Sequence, residues 1–375
     1  MNLKILSFAD ALAGRSGLFI SGIFSGSKRS CPENVDNIVI IKFLGYGSLI
    51  LAAPVIFAIK KHYPGAKLIL YTTKNLQPHA GMLKLFDETA VLTPEKPLHS
   101  IFTLFKLRRR LSSGRTLVIN LEFLSKTAIF LAGFLRGSYC LSLTEKEYSP
   151  LDRAVLPDQQ STTATMYDKL LTVFKIKNDT GEYAEYLNSH YNVQPLKQII
   201  IAPFCSNLSL RRLWNNEKWS LLISHIRTVF PDYSISIIGA PSDRKSAQKI
   251  IENSKVNCGI HNYCGEISFE QTAILMKQSS CFCGIDSAPL HLARLTALPS
   301  VSLWGATDPF LLTREIPDYP EIIIFARQKC TPCVHSKRKC PFPEGCLNLI
   351  DTKIVMSAVS DLITGKIKAR KNIIC

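Results

Sequence analysis

The sequence predicts an α/β protein with two Rossmann-like domains whose parallel sheets face a central cleft. Three observations predict this fold class. Predicted strands such as residues 38–42 and 280–285 are apolar without polar alternation, which is typical of parallel strands covered on both faces. Helical segments separate the strands. The alternation of strands and helices pauses near residues 188–195 and then resumes, which indicates two domains. A chain of 375 residues is also too long for one ordinary core.

The first domain is predicted over residues 37–190. Its first strand leads into a glycine loop with Gly45 and Gly47, and the next helix, residues 49–62, stops at a Tyr63-Pro64-Gly65 turn. Further strands are expected at residues 67–71, 89–92 and 116–120, and further helices at residues 98–111 and 125–135. Residues 142–165 break the rhythm with two prolines and a polar run, so a long loop with a functional role is expected there.

The second domain is predicted over residues 196–350, followed by a C-terminal helix and tail at residues 351–375. Its strands are expected at residues 198–202, 233–238, 280–285 and 300–304, and its helices at residues 217–230, 268–278 and 286–297. In open parallel sheets, ligands bind beyond the carboxyl ends of the strands. The loops at those ends are therefore the expected site in both domains.

The formal net charge of +16 requires an anionic partner or environment. Nucleic acid is not expected, because the sequence contains no zinc-finger or RNP-type recognition motif and its basic residues are scattered. Short basic clusters occur at residues 108–110, 211–212 and 337–339. The remaining explanations are an anionic membrane face and anionic substrates such as nucleotide sugars.

Residues 1–36 are predicted to form a basic, amphipathic extension. No stretch of the sequence reaches the roughly 18 apolar residues of a spanning helix, and Asp10 and Arg15 interrupt any signal-peptide core. Apolar residues near helical spacing, with lysines and arginines around them, favour a short anchor on the cytoplasmic face of the inner membrane. The alternative is a poorly ordered extension that packs loosely on the body. A cytoplasmic protein is expected in either case.

The most informative motif is a strand that runs directly into a helix at Asp286. Asp286, Ser287 and Pro289 are typical of a helix start. The amino end of a helix, with its free N–H groups and partial positive charge, suits a diphosphate. His291, one turn into the helix, could donate to a phosphate oxygen. The alternative is an ordinary capped helix with a structural histidine.

This motif and the segment after it resemble glycosyltransferase family 9, the heptosyltransferases. Residues 286–293 resemble the family's Asp-Ser-Gly-Pro-x-His-x-Ala block, and residues 299–309 resemble its Pro-x-x-x-Leu-Phe-Gly-x-Thr-x-Pro block. The resemblance extends over roughly residues 37–350. It implies a GT-B fold and inverting transfer from a nucleotide-diphospho-sugar such as ADP-heptose to lipopolysaccharide or another cell-surface glycan. It also implies that no metal or other cofactor is required for catalysis.

The resemblance assigns four residues of the helix start to donor binding: Asp286, Ser287, Ala288 and His291. Arg211 and Arg212 lie where the family has a basic residue that neutralises the diphosphate, which a leaving nucleotide without a metal requires. Asp243 is a weaker match to the carboxylate that holds the ribose. The alternative is that the two arginines only cover a helix and that Asp243 only caps the next one.

The sequence departs from the family at the glycine loop. Ser48 stands where the family has an aspartate, its usual general base, and a free hydroxyl is too weak to act as a base unaided. Glu122, two residues beyond the strand ending at Asn120, is the candidate base near the predicted cleft. Otherwise Glu122 only starts the next helix. In that case the base lies elsewhere, the acceptor is arranged differently, or the chain is a catalytically silent nucleotide-sugar binding protein. A nicotinamide-dependent oxidoreductase is less favoured, because the third glycine of the dinucleotide fingerprint is missing.

Four of the twelve cysteines lie close together in the sequence: Cys330, Cys333, Cys340 and Cys346. A Cys-x-x-Cys pair with two further thiols could hold a tetrahedral structural zinc. A reducing compartment disfavours disulfides between them. Because the second pair has five residues between its cysteines, a knot of buried thiols without metal is the alternative.

Overall fold

The computed structural model describes residues 28–93, 95–112, 114–123, 125–135, 137–157, 162–206, 210–333, 339–342 and 344–375. Most of the predicted N-terminal anchor, residues 1–27, lies outside the described residues. The chain divides into two compact units, with the boundary between Tyr183 and Ala184. Each unit is built around its own parallel sheet.

The first unit contains a six-stranded sheet in which every pair of neighbouring strands is parallel. Its strands are β1 (Asn37–Ile41), β2 (Lys67–Thr73), β3 (Glu88–Leu92), β4 (Thr116–Asn120), β5 (Tyr139–Leu143) and β6 (Arg153–Val155). The order β3-β2-β1-β4-β5-β6 is that of a Rossmann fold. The predicted long loop at residues 142–165 was too long, because β6 adds to the edge of the sheet within it.

Six helices accompany the first sheet: α1 (Tyr46–His62), α2 (Gln77–Met82), α3 (Pro97–Leu111), α4 (Lys126–Leu135), α5 (Thr163–Asp168) and α6 (Thr180–Ser189). A 3-10 turn, Lys169–Val173, follows α5. Gly45 precedes α1 with a φ of 82°, a conformation that favours glycine. The core lies between the apolar strands and the inward faces of α3 and α4.

The second unit contains a seven-stranded sheet, again with parallel neighbours throughout, in the order β13-β12-β11-β10-β7-β8-β9. Its strands are β7 (Gln198–Ala202), β8 (Ser234–Ile237), β9 (Ile260–Asn262), β10 (Cys281–Ile285), β11 (Ser300–Trp304), β12 (Glu321–Phe325) and β13 (Lys371–Ile374). The prediction of an α/β fold with two Rossmann-like domains is confirmed.

The helices of the second unit are α7 (Asn216–Val229), α8 (Arg244–Ser254), α9 (Phe269–Gln278), α10 (Ala288–Leu295), α11 (Pro309–Leu312) and α12 (Thr352–Ile363). Short 3-10 turns occur at Leu210–Arg212, Pro241–Asp243 and Cys346–Leu349. The predicted C-terminal helix and tail are not an appendage. The apolar face of α12 packs into the core, and β13 pairs with β12.

Candidate active site

In each unit the strand order reverses at one point, between β1 and β4 in the first unit and between β7 and β10 in the second. Ligands of open α/β sheets bind beyond the carboxyl ends of the strands at such a switch point. Glu122, Arg212 and Asp286 lie in the segments after β4, β7 and β10, and Ser48 lies in the first turn of α1, the helix that follows β1. Each unit therefore brings predicted site residues to the position where its topology favours a ligand.

In the second unit, Arg212 lies against the start of α10. Its Nη1 donates to the Asp286 carbonyl oxygen at 2.9 Å and lies 3.4 Å from Asp286 Oδ2. Both side chains are largely buried, which strengthens their electrostatic interaction relative to a surface pair. Arg212 and Asp286, which are 74 residues apart in the sequence, are thus brought together at the carboxyl end of β10.

The amino end of α10 lacks a side-chain cap. Ser287 occupies the N-cap position but makes no capping hydrogen bond, and its hydroxyl donates instead to the Ile285 carbonyl at 3.3 Å. Pro289 lies in the first turn, where a missing N–H is not costly. Pro289 has no N–H, and the Leu290 N–H donates to the Ser287 carbonyl at 3.1 Å. The start of α10 therefore offers an anionic ligand the Ala288 N–H and the positive end of the helix dipole.

His291 is buried one turn into α10, with its Nε2 3.9 Å from Asp286 Oδ1. Burial lowers the pKa of His291 to about 4. The charge of Asp286 raises this pKa, whereas the charges of Arg294 and Arg212 lower it further. The imidazole is therefore neutral at neutral pH and offers one N–H donor. Its Nδ1 is buried without a hydrogen-bond partner among the described residues.

Arg211 points to a different part of the second unit from its neighbour. Its Nη1 donates to the Cys333 carbonyl oxygen at 3.0 Å, in the segment after β12. The two adjacent guanidinium groups therefore contact different loops. Of the two, Arg212 is the one that the structure brings to the start of α10.

Asp243 closes the turn between β8 and α8. Its Oδ2 accepts a hydrogen bond from the Ala240 N–H at 2.8 Å, and its side chain makes no capping bond to α8. A Cβ at Gly239 would lie 3.0 Å from that same oxygen, so the turn depends on glycine there. Asp243 occupies the N-cap position of α8, and its bond to the Ala240 N–H is a capping contact of the 3-10 turn that leads into this helix, so the capping alternative stays a prediction.

Asp243 also lines an open pocket of about 530 Å³ in the second unit. Aromatic and polar side chains share the lining, among them Phe204, Cys205, Trp214, Ser246 and Asn348. Burial raises the pKa of the Cys205 thiol, so this side chain presents an uncharged sulfur to the pocket. A volume of this size with a few polar groups is typical of small-molecule sites.

In the first unit, Glu122 ties the loop after β4 to the loop after β1. Its Oε1 accepts hydrogen bonds from Lys42 Nζ at 2.9 Å, the Phe43 N–H at 2.6 Å and the Leu44 N–H at 2.8 Å. The Lys42–Glu122 ion pair is largely buried. Glu122 does not start the next helix, since α4 begins at Lys126.

Ser48 lies in the first turn of α1, where its Oγ donates to the Gly45 carbonyl at 2.8 Å. A Cβ at Gly45 would come within 2.5 Å of that Oγ, so glycine is required beside Ser48. The sequence did not indicate Tyr167. Its buried hydroxyl hydrogen-bonds Ser48 and lies near the charges of Lys42 and Glu122, and burial raises the pKa of the phenol. No local pattern marks Tyr167, because α5 brings it there from more than a hundred residues away in the sequence.

The four clustered cysteines differ in exposure: Cys330 is exposed, Cys333 and Cys340 are half-buried, and Cys346 is buried. Burial raises the pKa of Cys346 to about 11, and the other three thiols add to that shift. Among the described residues, no three His, Cys, Asp or Glu side chains are arranged to hold a metal ion. The zinc site stays a prediction.

The family of the chain is decided by a sequence comparison. The model of glycosyltransferase family 9 (heptosyltransferase) matches residues 105–342, which is more than half of the chain. The chain belongs to glycosyltransferase family 9. This family 9 chain is therefore a glycosyltransferase of the heptosyltransferase type, and the alternative of an oxidoreductase is wrong.

The relatives agree with this assignment. The chain is 22% identical over 295 residues to lipopolysaccharide heptosyltransferase 3 of Escherichia coli, covering 70% of this chain and 82% of that protein. A family 9 glycosyltransferase structure from Veillonella parvula has a TM-score of 0.70 at 17% identity, covering 90% and 99% of the two chains. E. coli heptosyltransferase WaaC with ADP has a TM-score of 0.67 at 14% identity, covering 87% and 99%. These structures support the GT-B fold.

None of the described helices of the family 9 chain is both long and apolar enough to cross a membrane.

Proposed function

We propose that the family 9 chain transfers a heptose or a related sugar from an ADP-sugar to lipopolysaccharide or another cell-surface glycan, with inversion and without a catalytic metal. The observation that carries this proposal is the contact of Arg212 with Asp286 at the start of α10. Two similar proteins support it by name, one a lipopolysaccharide heptosyltransferase and the other a heptosyltransferase bound to ADP.

The proposed donor site accepts the diphosphate at the amino end of α10. The Ala288 N–H, the helix dipole and the Arg212 guanidinium would all favour a group that gains negative charge as the sugar leaves. His291 is neutral at neutral pH and would contribute one N–H donor to a phosphate oxygen without adding charge. This set of groups would replace the metal that other nucleotide-sugar enzymes use to hold the diphosphate.

The nucleoside of the donor fits the pocket lined by Asp243 and Trp214. A carboxylate in such a pocket can accept hydrogen bonds from the two ribose hydroxyls. The half-buried Phe204 side chain provides apolar surface for a purine ring. Arg211 would act indirectly, by holding the segment that contains Cys333.

The acceptor is assigned to the first unit, with Glu122 as the candidate base. The acceptor hydroxyl oxygen would bond to the anomeric carbon from the face opposite the diphosphate, the bond to the diphosphate oxygen would break, and Glu122 would take the hydroxyl proton. Three donors converge on Oε1, so the proton would go to Oε2. If Glu122 only holds the loop, then the base lies elsewhere, the acceptor is arranged differently, or the chain is the silent nucleotide-sugar binder that the serine at position 48 suggests.

The enzyme is expected to work in the cytoplasm on the inner face of the inner membrane, where a lipid-linked acceptor and a soluble nucleotide sugar meet. The net charge of +16 supports this location, since anionic lipid and anionic donor are both attracted to a basic protein.

The experiment that tests the proposed function is a titration of the full chain with ADP-, UDP-, GDP- and CMP-sugars, followed by a transfer assay in chelator. We expect selective binding of the ADP-sugar, transfer in the presence of chelator, and a product with inverted anomeric configuration. Binding without turnover would identify a silent binder. Loss of transfer in chelator, or a retained configuration, would contradict the proposed mechanism.

A further inference from the structure

The outer face of α3 in the first unit is apolar. Four large apolar side chains on it are more than half exposed: Leu98 (82%), Ile101 (51%), Phe102 (67%) and Phe105 (57%). Their spacing of three and four residues places them on one face of the helix. The face turned to the core is formed by Leu104, Leu107 and Leu111. The fold of the first unit therefore does not account for the exposed stripe.

The stripe continues onto the neighbouring helix α4. The Phe105 ring packs edge-on against Phe134, with 5.2 Å between the ring centroids, and Phe134 in turn contacts Phe130. The Arg108 guanidinium lies over the Phe134 ring at 4.5 Å and donates to the Phe134 carbonyl. Phe130 and Phe134 are half-buried, so the exposed stripe of α3 borders further apolar surface on α4. Apolar surface of this kind is typical of an interaction site.

The charged residues of α3 are all basic and lie in its second half. They are Lys106, Arg108, Arg109 and Arg110, and the helix contains no acidic residue. Each of the four is exposed. Helices with an apolar stripe bordered by lysine and arginine typically lie in the plane of a bilayer surface.

The occupant that fits this surface is an anionic lipid bilayer. Lysine and arginine side chains close to an anionic surface are attracted to it. A second copy of the chain fits less well, because two arginine clusters would be brought together. A helix of 15 residues is roughly 22 Å long, so α3 is too short to span the hydrocarbon layer and is suited to lie on it.

We propose that α3 docks the family 9 chain on an anionic membrane surface, with the stripe at the headgroup boundary and the basic cluster on lipid phosphates. This inference deepens the proposed function and rests on it, since a lipid-linked acceptor is reached only at that surface. It places the membrane contact on the first unit, the unit to which the acceptor is assigned.

Depth-dependent fluorescence quenching tests the docking directly. The full chain with Phe102→Trp is mixed with vesicles of phosphatidylcholine and phosphatidylglycerol that contain brominated acyl chains. The three native tryptophans are buried in the second unit, so the new indole should be the one that bromine quenches. The matched control is Leu221→Trp, an exposed position on α7. Equal quenching of both variants, or of neither, would overturn the proposal.

The fraction of protein bound to the anionic vesicles supplies a second, independent measurement. The double variant Leu98→Ser with Phe102→Ser removes two exposed side chains, so we expect unchanged thermal stability and a loss of at least about tenfold in binding to the anionic vesicles. Leu221→Ser should bind as the wild type does. Unchanged vesicle binding would mean that another segment, such as residues 1–27, anchors the chain. If the double variant instead dissociates a dimer in sedimentation, the surface binds a second copy, and the proposal fails.

The two proposals fail in different ways. ADP binding, measured without vesicles, tests the proposed function and does not depend on α3. Wild type that binds the vesicles without binding ADP would refute the proposed function and leave the docking surface in place. Binding of ADP by the wild type, together with no quenching of the Phe102→Trp variant, would do the opposite.

Discussion

Glu122 is a residue with two possible roles that the structure makes separable. Its Oε1 accepts hydrogen bonds from Lys42 and from two backbone N–H groups, a structural task that a neutral amide oxygen can also perform. Taking a proton requires a carboxylate. Glutamine at this position therefore keeps an acceptor for the loop and removes the base.

We expect Glu122→Gln to lower the rate of sugar transfer by about a hundredfold or more, as loss of a general base does. Donor affinity should stay unchanged, because the donor residues lie in the second unit. The measurement is kcat with a saturating ADP-sugar, together with the dissociation constant of ADP.

Ser48→Ala is the matched control for the glutamine variant. Its hydroxyl donates to the Gly45 carbonyl and does not act as a base, so transfer should stay near the wild-type rate. Transfer that survives Glu122→Gln would remove Glu122 from the chemistry. A rate lost in Ser48→Ala alone would show that the hydroxyl, with Tyr167 beside it, takes part.

His291 should make the second unit sensitive to mild acid. Its pKa is about 4 in the folded chain and near 6.5 in the unfolded chain, so the unfolded state takes up a proton first as the pH falls. The free energy of unfolding therefore decreases between about pH 6.5 and about pH 4. The pKa of His79, also lowered by burial to about 4, gives the first unit the same dependence.

Urea unfolding at about pH 7 and about pH 5 measures this dependence. His291→Asn should lose less stability than the wild type between the two values, because its unfolded state has one proton fewer to take up. His261→Asn, which changes an exposed histidine of the same unit, should behave as the wild type. Identical pH dependence in all three proteins would show that His291 is not buried as described.

At the scale of secondary-structure elements, a buried charge cluster attaches the C-terminus to the second sheet. Glu321 on β12 accepts from Arg294 and, at 2.9 Å, from Arg370, which directly precedes β13. Both arginines also donate to the Arg314 carbonyl. All three charged side chains are buried, so removal of the carboxylate leaves two guanidinium groups without a counter-charge.

We expect Glu321→Gln to reduce the free energy of unfolding of the second unit by about 3 kcal/mol. Glu266→Gln, which breaks an exposed pair with Arg244 in the same unit, should cost less than about 1 kcal/mol. Thermal or urea unfolding of the two variants gives the comparison. Equal losses would show that the cluster does not hold β13 to the sheet.

The sequence predicted eight of the thirteen described strands and missed five, of which β5 and β12 lie inside the sheets and β6, β9 and β13 lie at their edges. The apolar centres of β1 and β4 identified these strands, whereas β6 has three residues and β13 is mostly exposed. β13 is held by the contact of Arg370 with Glu321, 49 residues away in the sequence, which no local pattern shows. Composition therefore predicted a helix within residues 351–375, where α12 lies, but left the residues after it as a tail.

Some features of the candidate site could be predicted from local sequence patterns, and others depend on contacts between residues far apart in the sequence. The helix start at Asp286 and the Arg211–Arg212 pair were visible as motifs. Which arginine reaches Asp286 depends on the fold, as does the place of Tyr167 beside Ser48. Sequence identified the residue types, and the three-dimensional arrangement decided their partners.

At the scale of the whole molecule, the proposed function divides donor binding and acceptor binding between two Rossmann-like units. The second unit contains the start of α10, Arg212 and the pocket beside Asp243, all suited to a nucleotide diphosphate. The first unit contains Glu122, Ser48 and the docking helix α3, which suit an acceptor at a membrane. The net charge of +16 favours both anionic ligands.

The central claim is that Arg212 holds the diphosphate of the donor at the start of α10. Calorimetric titration of ADP into the full chain with Arg212→Ala tests it most directly, with Arg211→Ala as the neighbouring control and thermal unfolding as the check on folding. We predict that Arg212→Ala weakens ADP binding by at least about tenfold, as loss of a hydrogen bond to a charged group does, and that Arg211→Ala has a smaller effect. ADP affinity unchanged by Arg212→Ala would contradict the account.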